Sequence, residues 1–197
     1  MKIIYLHGFS SAGSTGTATE LRNHFYPLGI EVLSPDIPVM PKDAVPFLKQ
    51  YIKEHEPSLI IGTSMGAMYA ELQKGYPRIL VNPSFQMSRT LTFMHLGKNV
   101  QFQNPRKDGE KQFKVDKEMI AQFKELEKAN VLKDITPEEK DLVWGLFGNK
   151  DRTVNFQKEF QKLYKKDHMQ IFDGEHHLNS QVLKKVVIPL IHEILNV

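Results

Sequence analysis

Residues 59–72 read LIIGTSMGAMYAEL: four residues of apolar strand pattern, a tight polar turn, then a helical pattern. Within it, Gly62-Thr63-Ser64-Met65-Gly66 is a G-x-S-x-G sequence. A nucleophile on a sharp strand-to-helix turn has a strained backbone, and the residues two places either side crowd each other. Glycines there remove the Cβ atoms that would collide. Such a turn lifts the serine hydroxyl above the sheet, where the start of the following helix favours developing negative charge. The bare pattern is common by chance. It gains meaning from the strand before it and the helix after it.

The rest of the chain extends this alternation. The expected strands are Ile3–Leu6, Glu31–Ser34, Leu59–Gly62, Ile79–Val81, Leu142–Phe147 and His168–Phe172. The expected helices are Ala18–Pro27, Asp43–His55, Met65–Lys74, Asn155–Lys165 and Ser180–Asn196. Short, nearly all-apolar strands alternating with helices predict an α/β protein with a mostly parallel sheet of about six strands, covered on both faces. At 197 residues the chain fits one domain. The alternation breaks at about residues 85–140, where the chain turns polar and charged. One helical pattern spans Lys117–Lys128, and Thr136-Pro137-Glu138-Glu139 has the form of a helix start. This stretch reads as a cap or insertion over one end of the sheet.

Composition narrows the function classes. The chain has 41% hydrophobic and 25% charged residues with a net charge of +3, too small and too interspersed to imply nucleic acid. It has no cysteine, which excludes disulfides, thiolate metal sites and a cysteine nucleophile. No apolar run approaches the roughly 18 residues of a membrane span, and Ile3–Leu6 is too short for a signal-peptide core. A cytoplasmic location without membrane contact is the expectation. No motif calls for a cofactor.

A nucleophilic serine needs a base, and the base an orienting carboxylate, in the order Ser, acid, His along such a fold. Asp151 stands just past the fifth strand in GNKDRTV, although the same residue could simply cap the next helix. Past the last strand, DGEHHL offers two adjacent histidines. Spacing to Leu178, an apolar residue that closes onto the core, favours His176; counting from Gly174 favours His177. The pair also invites a metal reading with Glu175 or Asp173, but no HxxxH or HExxH spacing accompanies it, and side chains of adjacent extended residues diverge.

The opening loop, HGFSSAGST at 7–15, admits two readings. Gly8, Gly13, Ser14 and Thr15 approximate a phosphate-binding P-loop, while His7-Gly8-Phe9 after a buried strand begins one wall of an oxyanion hole. Ser14 occupies the place of the lysine that a P-loop requires, so the oxyanion reading is the stronger.

Taken together, LHGFSSA, GTSMG, NPS after the fourth strand, GNKD and GEHHL resemble the α/β-hydrolase superfamily, and within it the compact YqiA-type esterases. The resemblance covers nearly the whole chain except about residues 85–140. It implies backbone oxyanion donors at Phe9 and Met65, and a small-molecule acyl ester as substrate. A thioester substrate and a non-catalytic binding scaffold remain alternatives. Lys107, Lys111, Lys114 and Lys117 could attract an anionic leaving group or simply form a solvated face. Phe85, Met87, Leu91, Phe93, Met94 and Leu96 could line an acyl pocket or pack a cap; most are expected to pack.

Overall fold

A computed structural model describes residues 1–197. Six parallel strands form one sheet in the order β2-β1-β3-β4-β7-β8. They are β1 (Lys2–Leu6), β2 (Glu31–Leu33), β3 (Leu59–Thr63), β4 (Arg78–Val81), β7 (Val143–Gly148) and β8 (Met169–Phe172). Strand β1 pairs with β2 on one side and β3 on the other. The chain order therefore reverses direction between β1 and β3. In open parallel sheets the crevice beyond the strand ends at such a reversal is where ligands bind.

Side chains leave β1 alternately to two cores, as the period of a strand requires. Ile4 and Leu6 join a cluster under α2 (Pro41–His55), α3 (Met65–Glu71) and α5 (Lys117–Ala129). Ile3 and Tyr5 join the opposite cluster under α1 (Gly16–Phe25) and α9 (Ile188–Leu195). Helices thus cover both faces, which explains why the central strands contain almost no polar residue.

Two expected helices differ in form. The segment expected as one helix from Ser180 divides into α8 (Ser180–Val182), a π-helical turn (Leu183–Val187) and α9. Pro189, which has no N–H to give to the previous turn, stands at the start of α9 and accounts for the wider register. The helix expected at Asn155–Lys165 is shorter, α7 (Gln157–Leu163), and ends where Tyr164 turns extended.

Residues 85–140 hold more structure than the sequence suggested. They form α4 (Met87–Met94), an antiparallel ribbon of β5 (Asn99–Gln101) and β6 (Gln112–Lys114), then α5 and α6 (Pro137–Lys140). Thr136 caps α6 by accepting the Glu139 N–H, as its sequence predicts. Phe85, Met87 and Leu91 are buried in the main core, whereas Phe93, Met94 and Leu96 are exposed. No helix is long and apolar enough to cross a membrane.

Candidate active site

Phe9, Ser64, Asp151 and His176 sit beyond the C-terminal edge of the sheet, each just past a different strand, β1, β3, β7 and β8. β3 delivers Ser64 on the turn into α3. Its backbone holds φ 53° and ψ −115°, a left-handed conformation that a residue with a Cβ adopts only under local compulsion. The two flanking glycines supply the room. A Cβ on Gly62 would lie 2.3 Å from the Gly66 carbonyl oxygen, and one on Gly66 would lie 2.1 Å from that of Leu6. Neither position accepts another residue without moving backbone. The Ser64 N–H donates to Val81 O at 3.0 Å, fastening the turn to the neighbouring strand.

The loop after β8 brings His176 to this serine. Ser64 Oγ lies 2.9 Å from His176 Nε2, and His176 Nδ1 lies 2.7 Å from Asp151 Oδ2. Because a carboxylate only accepts, Nδ1 donates to it and Nε2 is left to accept the serine proton. Burial pushes the Asp151 carboxyl upward, but hydrogen bonds from His176, Val154 and Thr153 outweigh it and hold the group below its ordinary value. Asp151 Oδ1 takes the Thr153 and Val154 amides at 2.7 and 3.1 Å. It therefore serves the local turn with one oxygen and the imidazole with the other. His177 is exposed, its ring edge-on to that of His176 at a centroid distance of 5.4 Å. Its side chain makes no hydrogen bond to either Ser64 or Asp151.

The backbone amides of Phe9 and Met65 make no hydrogen bond within the chain. The loop bearing Phe9 passes close to the serine: a Cβ on Gly8 would be 3.6 Å from Ser64 Cβ. His7 holds this loop from below. Its Nδ1 donates to Gly8 O at 2.8 Å, and its Nε2 accepts the Ile37 N–H at 3.0 Å. One nitrogen donating and one accepting is the neutral imidazole, and burial pushes its pKa down to about 4.

Further anchors come from the insertion, and sequence reading missed them. Gln103 N–H donates to Ser10 O at 2.8 Å, Ser11 Oγ to Asn104 Oδ1 at 2.9 Å, and Ser14 Oγ to Pro105 O at 2.6 Å. Asp36 bridges the two segments by accepting the Gly13 and Lys107 amides, each at 2.7 Å. Its carboxylate on the Gly13 amide also disfavours a phosphate in the Gly8–Thr15 loop, against the P-loop reading.

Asn82 was also missed. It follows β4 with φ 44° and is 2% exposed. Its Nδ2 donates to the carbonyls of Glu175 and His176 at 2.9 and 3.0 Å, while its Oδ1 accepts the Gly148 N–H at 2.7 Å. One amide thus joins the histidine loop to the strand that leads into the Asp151 loop. The Asn-Pro dipeptide was the available signal, but it reads equally well as a turn.

A cleft of about 610 Å³ opens over Ser64 and His176. The lysines at 107, 111, 114 and 117 are exposed and none lines it. His95 does line it.

A parallel sheet in this strand order, with a serine elbow after β3 and Asp and His on the loops after β7 and β8, is the α/β-hydrolase fold. Residues 2–188 match the model of the Uncharacterised protein family (UPF0227), and the chain belongs to that family. Among solved structures, it resembles Est1E from Butyrivibrio proteoclasticus with bound ferulic acid, at TM-score 0.71 and 14% identity over 100% of this chain and 90% of that one. It is also similar to alpha/beta hydrolase domain-containing protein 10 from mouse, at TM-score 0.67 and 14% identity, covering 99% and 89% of the two chains. A hydrolase from Agrobacterium vitis S4, described as putative, aligns at TM-score 0.65 and 15% identity over 98% and 87%.

Proposed function

We propose that the protein is a serine esterase that hydrolyses carboxylic esters through an acyl-enzyme on Ser64. The observation that carries this reading is the relay at the mouth of the cleft, with 2.9 Å from Ser64 Oγ to His176 Nε2 and 2.7 Å from His176 Nδ1 to Asp151. A neutral imidazole between a serine hydroxyl and a partly buried carboxylate takes a proton as the hydroxyl attacks, and the carboxylate stabilises the resulting imidazolium.

Ser64 Oγ attacks the ester carbonyl and passes its proton to His176 Nε2. The carbonyl oxygen becomes an oxyanion, for which the uncommitted Phe9 and Met65 amides are the donors. Collapse breaks the carbon–oxygen bond to the alcohol, which leaves with the proton from His176. Water then attacks the acyl-enzyme, His176 takes its proton, and Ser64 recovers it as the acid departs. Losing one oxyanion donor in such sites costs about 3–4 kcal/mol of barrier. His176 rather than His177 is the base in this scheme. A thioester would pass through the same steps.

Hydrolysis of p-nitrophenyl butyrate by wild type, Ser64→Ala, His176→Ala and His177→Ala tests the scheme, alongside labelling with a fluorophosphonate. Turnover lost in the first two variants and kept in His177→Ala is expected. Unchanged turnover in Ser64→Ala sinks the mechanism, and a wild type that neither turns over ester nor takes the label points to a binding scaffold.

A further inference from the structure

We infer that the cleft selects esters whose alcohol is uncharged and hydroxyl-bearing, with Glu20 as a specificity-determining residue; the inference rests on the esterase reading above. The cleft straddles the edge of the sheet and has two unlike arms. On the side of α4 the apolar side chains of Phe9, Met87, Leu91 and Met94 line it, with the uncharged Thr90 and His95 among them. On the side of α1 and α8 the wall is Thr17, Glu20, Asn179 and Ser180.

The chemistry decides which half of an ester enters which arm. The departing alcohol must lie within reach of His176 Nε2, since it receives its proton there. The polar arm continues directly from that residue through His177, Leu178, Asn179 and Ser180, so it receives the alcohol. The carbonyl oxygen must face the amides of Phe9 and Met65, and the Phe9 side chain leads into the apolar arm, which receives the acyl chain.

Charge then narrows the alcohol. No lysine or arginine lines the cleft, and Glu20 is the one carboxylate that does. An anionic leaving group would meet that carboxylate with no lysine or arginine in the cleft to offset it. Glu20 Oε2 is fixed by accepting the Ser180 hydroxyl at 2.6 Å, which leaves Oε1 for a partner. A carboxylate oxygen beside a threonine and serine hydroxyl and an asparagine amide suits a polyol, because each group accepts from or donates to a hydroxyl. Sites built to hydrogen-bond a hydroxyl discriminate strongly against analogues that lack it.

The test compares four butyryl substrates that share the acyl half: glycerol monobutyrate, ethyl butyrate, butyrylcholine and butyryl-coenzyme A. Wild type is expected to favour the glycerol ester over the ethyl ester by about tenfold or more in kcat/KM, mainly through KM. In Glu20→Gln that ratio is expected to contract, and Glu20→Lys is expected to raise the relative rate on butyryl-coenzyme A. A ratio near one in wild type, or one unmoved in Glu20→Gln, overturns the assignment. So does a preference for butyrylcholine, which would make Glu20 a cation partner, or for the coenzyme A thioester. Ser64-dependent turnover of p-nitrophenyl butyrate separates the two levels: with it, such results remove only the alcohol specificity. Its absence, together with absent fluorophosphonate labelling, removes both.

Discussion

Strand β4 carries a buried polar side chain at each end of the sheet, and the two are used in opposite ways. At its start, Arg78 is fully buried, paired with Glu139 and donating to the carbonyls of Glu71 and Gln73 at 3.1 and 2.9 Å. Around it, Glu71 accepts from Lys74, the Tyr164 hydroxyl and the Leu132 amide. Burial and the Glu71 charge push the Tyr164 hydroxyl upward, so it stays a donor. Just past the other end, Asn82 ties together loops that lead to an open cleft. At the closed end the polar groups are spent on one another and on backbone, apart from the buried Arg78 Nε, which has no partner. At the open end Ser64 and His176 line a cleft of about 610 Å³, and the Phe9 and Met65 amides make no hydrogen bond within the chain. The difference teaches that buried charge alone is a poor marker of a site; polar groups left available beside a cavity are a better one.

Substitutions at four positions break or sharpen this contrast. The largest effect belongs to Ser64→Ala, expected to lower kcat/KM for p-nitrophenyl butyrate by about 10⁴-fold or more while leaving the melting temperature near that of wild type. Arg78→Ala should do the reverse. It leaves Glu139 without its cation and should cost about 3–5 kcal/mol in urea unfolding, with turnover per folded molecule little changed. A variant that stayed as stable as wild type would show the closed end to be energetically idle.

Next comes the imidazole beneath the first loop. The folded His7 pKa of about 4 lies below the unfolded 6.5. Between these values the unfolded chain binds a proton that the folded chain refuses, so stability falls as pH falls through this window. The full difference is about 3 kcal/mol. In His7→Gln the stability profile from pH 7 to 4 should be flatter than in wild type; parallel profiles would remove His7 as the cause. The smallest effect is that of Asn82→Ala, about 10–100-fold in kcat, with KM moved less. Asn82→Asp loses the Nδ2 donor and should also shift the pH–rate profile, because a carboxylate would then face two carbonyls beside the base. Equal loss in kcat and in stability, with no profile change, would make Asn82 merely structural.

Much of this was legible before any coordinates. The strands of the main sheet declared themselves because burial on both faces leaves only apolar residues, and the elbow declared itself because its glycines are steric necessities. Asp151, and a histidine at 176 or 177, followed from chain order. The choice between His176 and His177 needed only the direction of one side chain, which adjacent residues on a turn do not reveal. Asn82 and the anchors of the first loop were illegible for another reason. Ser11 and Asn104 lie 93 positions apart, and nothing in either neighbourhood marks the other as partner. The ribbon of β5 and β6 escaped because NVQ and QFK are three-residue strands with one inward apolar residue each, Val100 and Phe113, too few to display a period.

The anchoring of the first loop by residues 103–107 carries a consequence for assembly. The segment that presents the Phe9 amide is held from below by His7, but its outer anchors are synthesised some ninety residues after it. A molecule nicked among those anchors can therefore keep the strands, the elbow and Ser64 while its first loop loses its outer anchors. The Phe9 side of the cleft is thus the part that a protease cut at the exposed Lys107–Lys111 tip would loosen first.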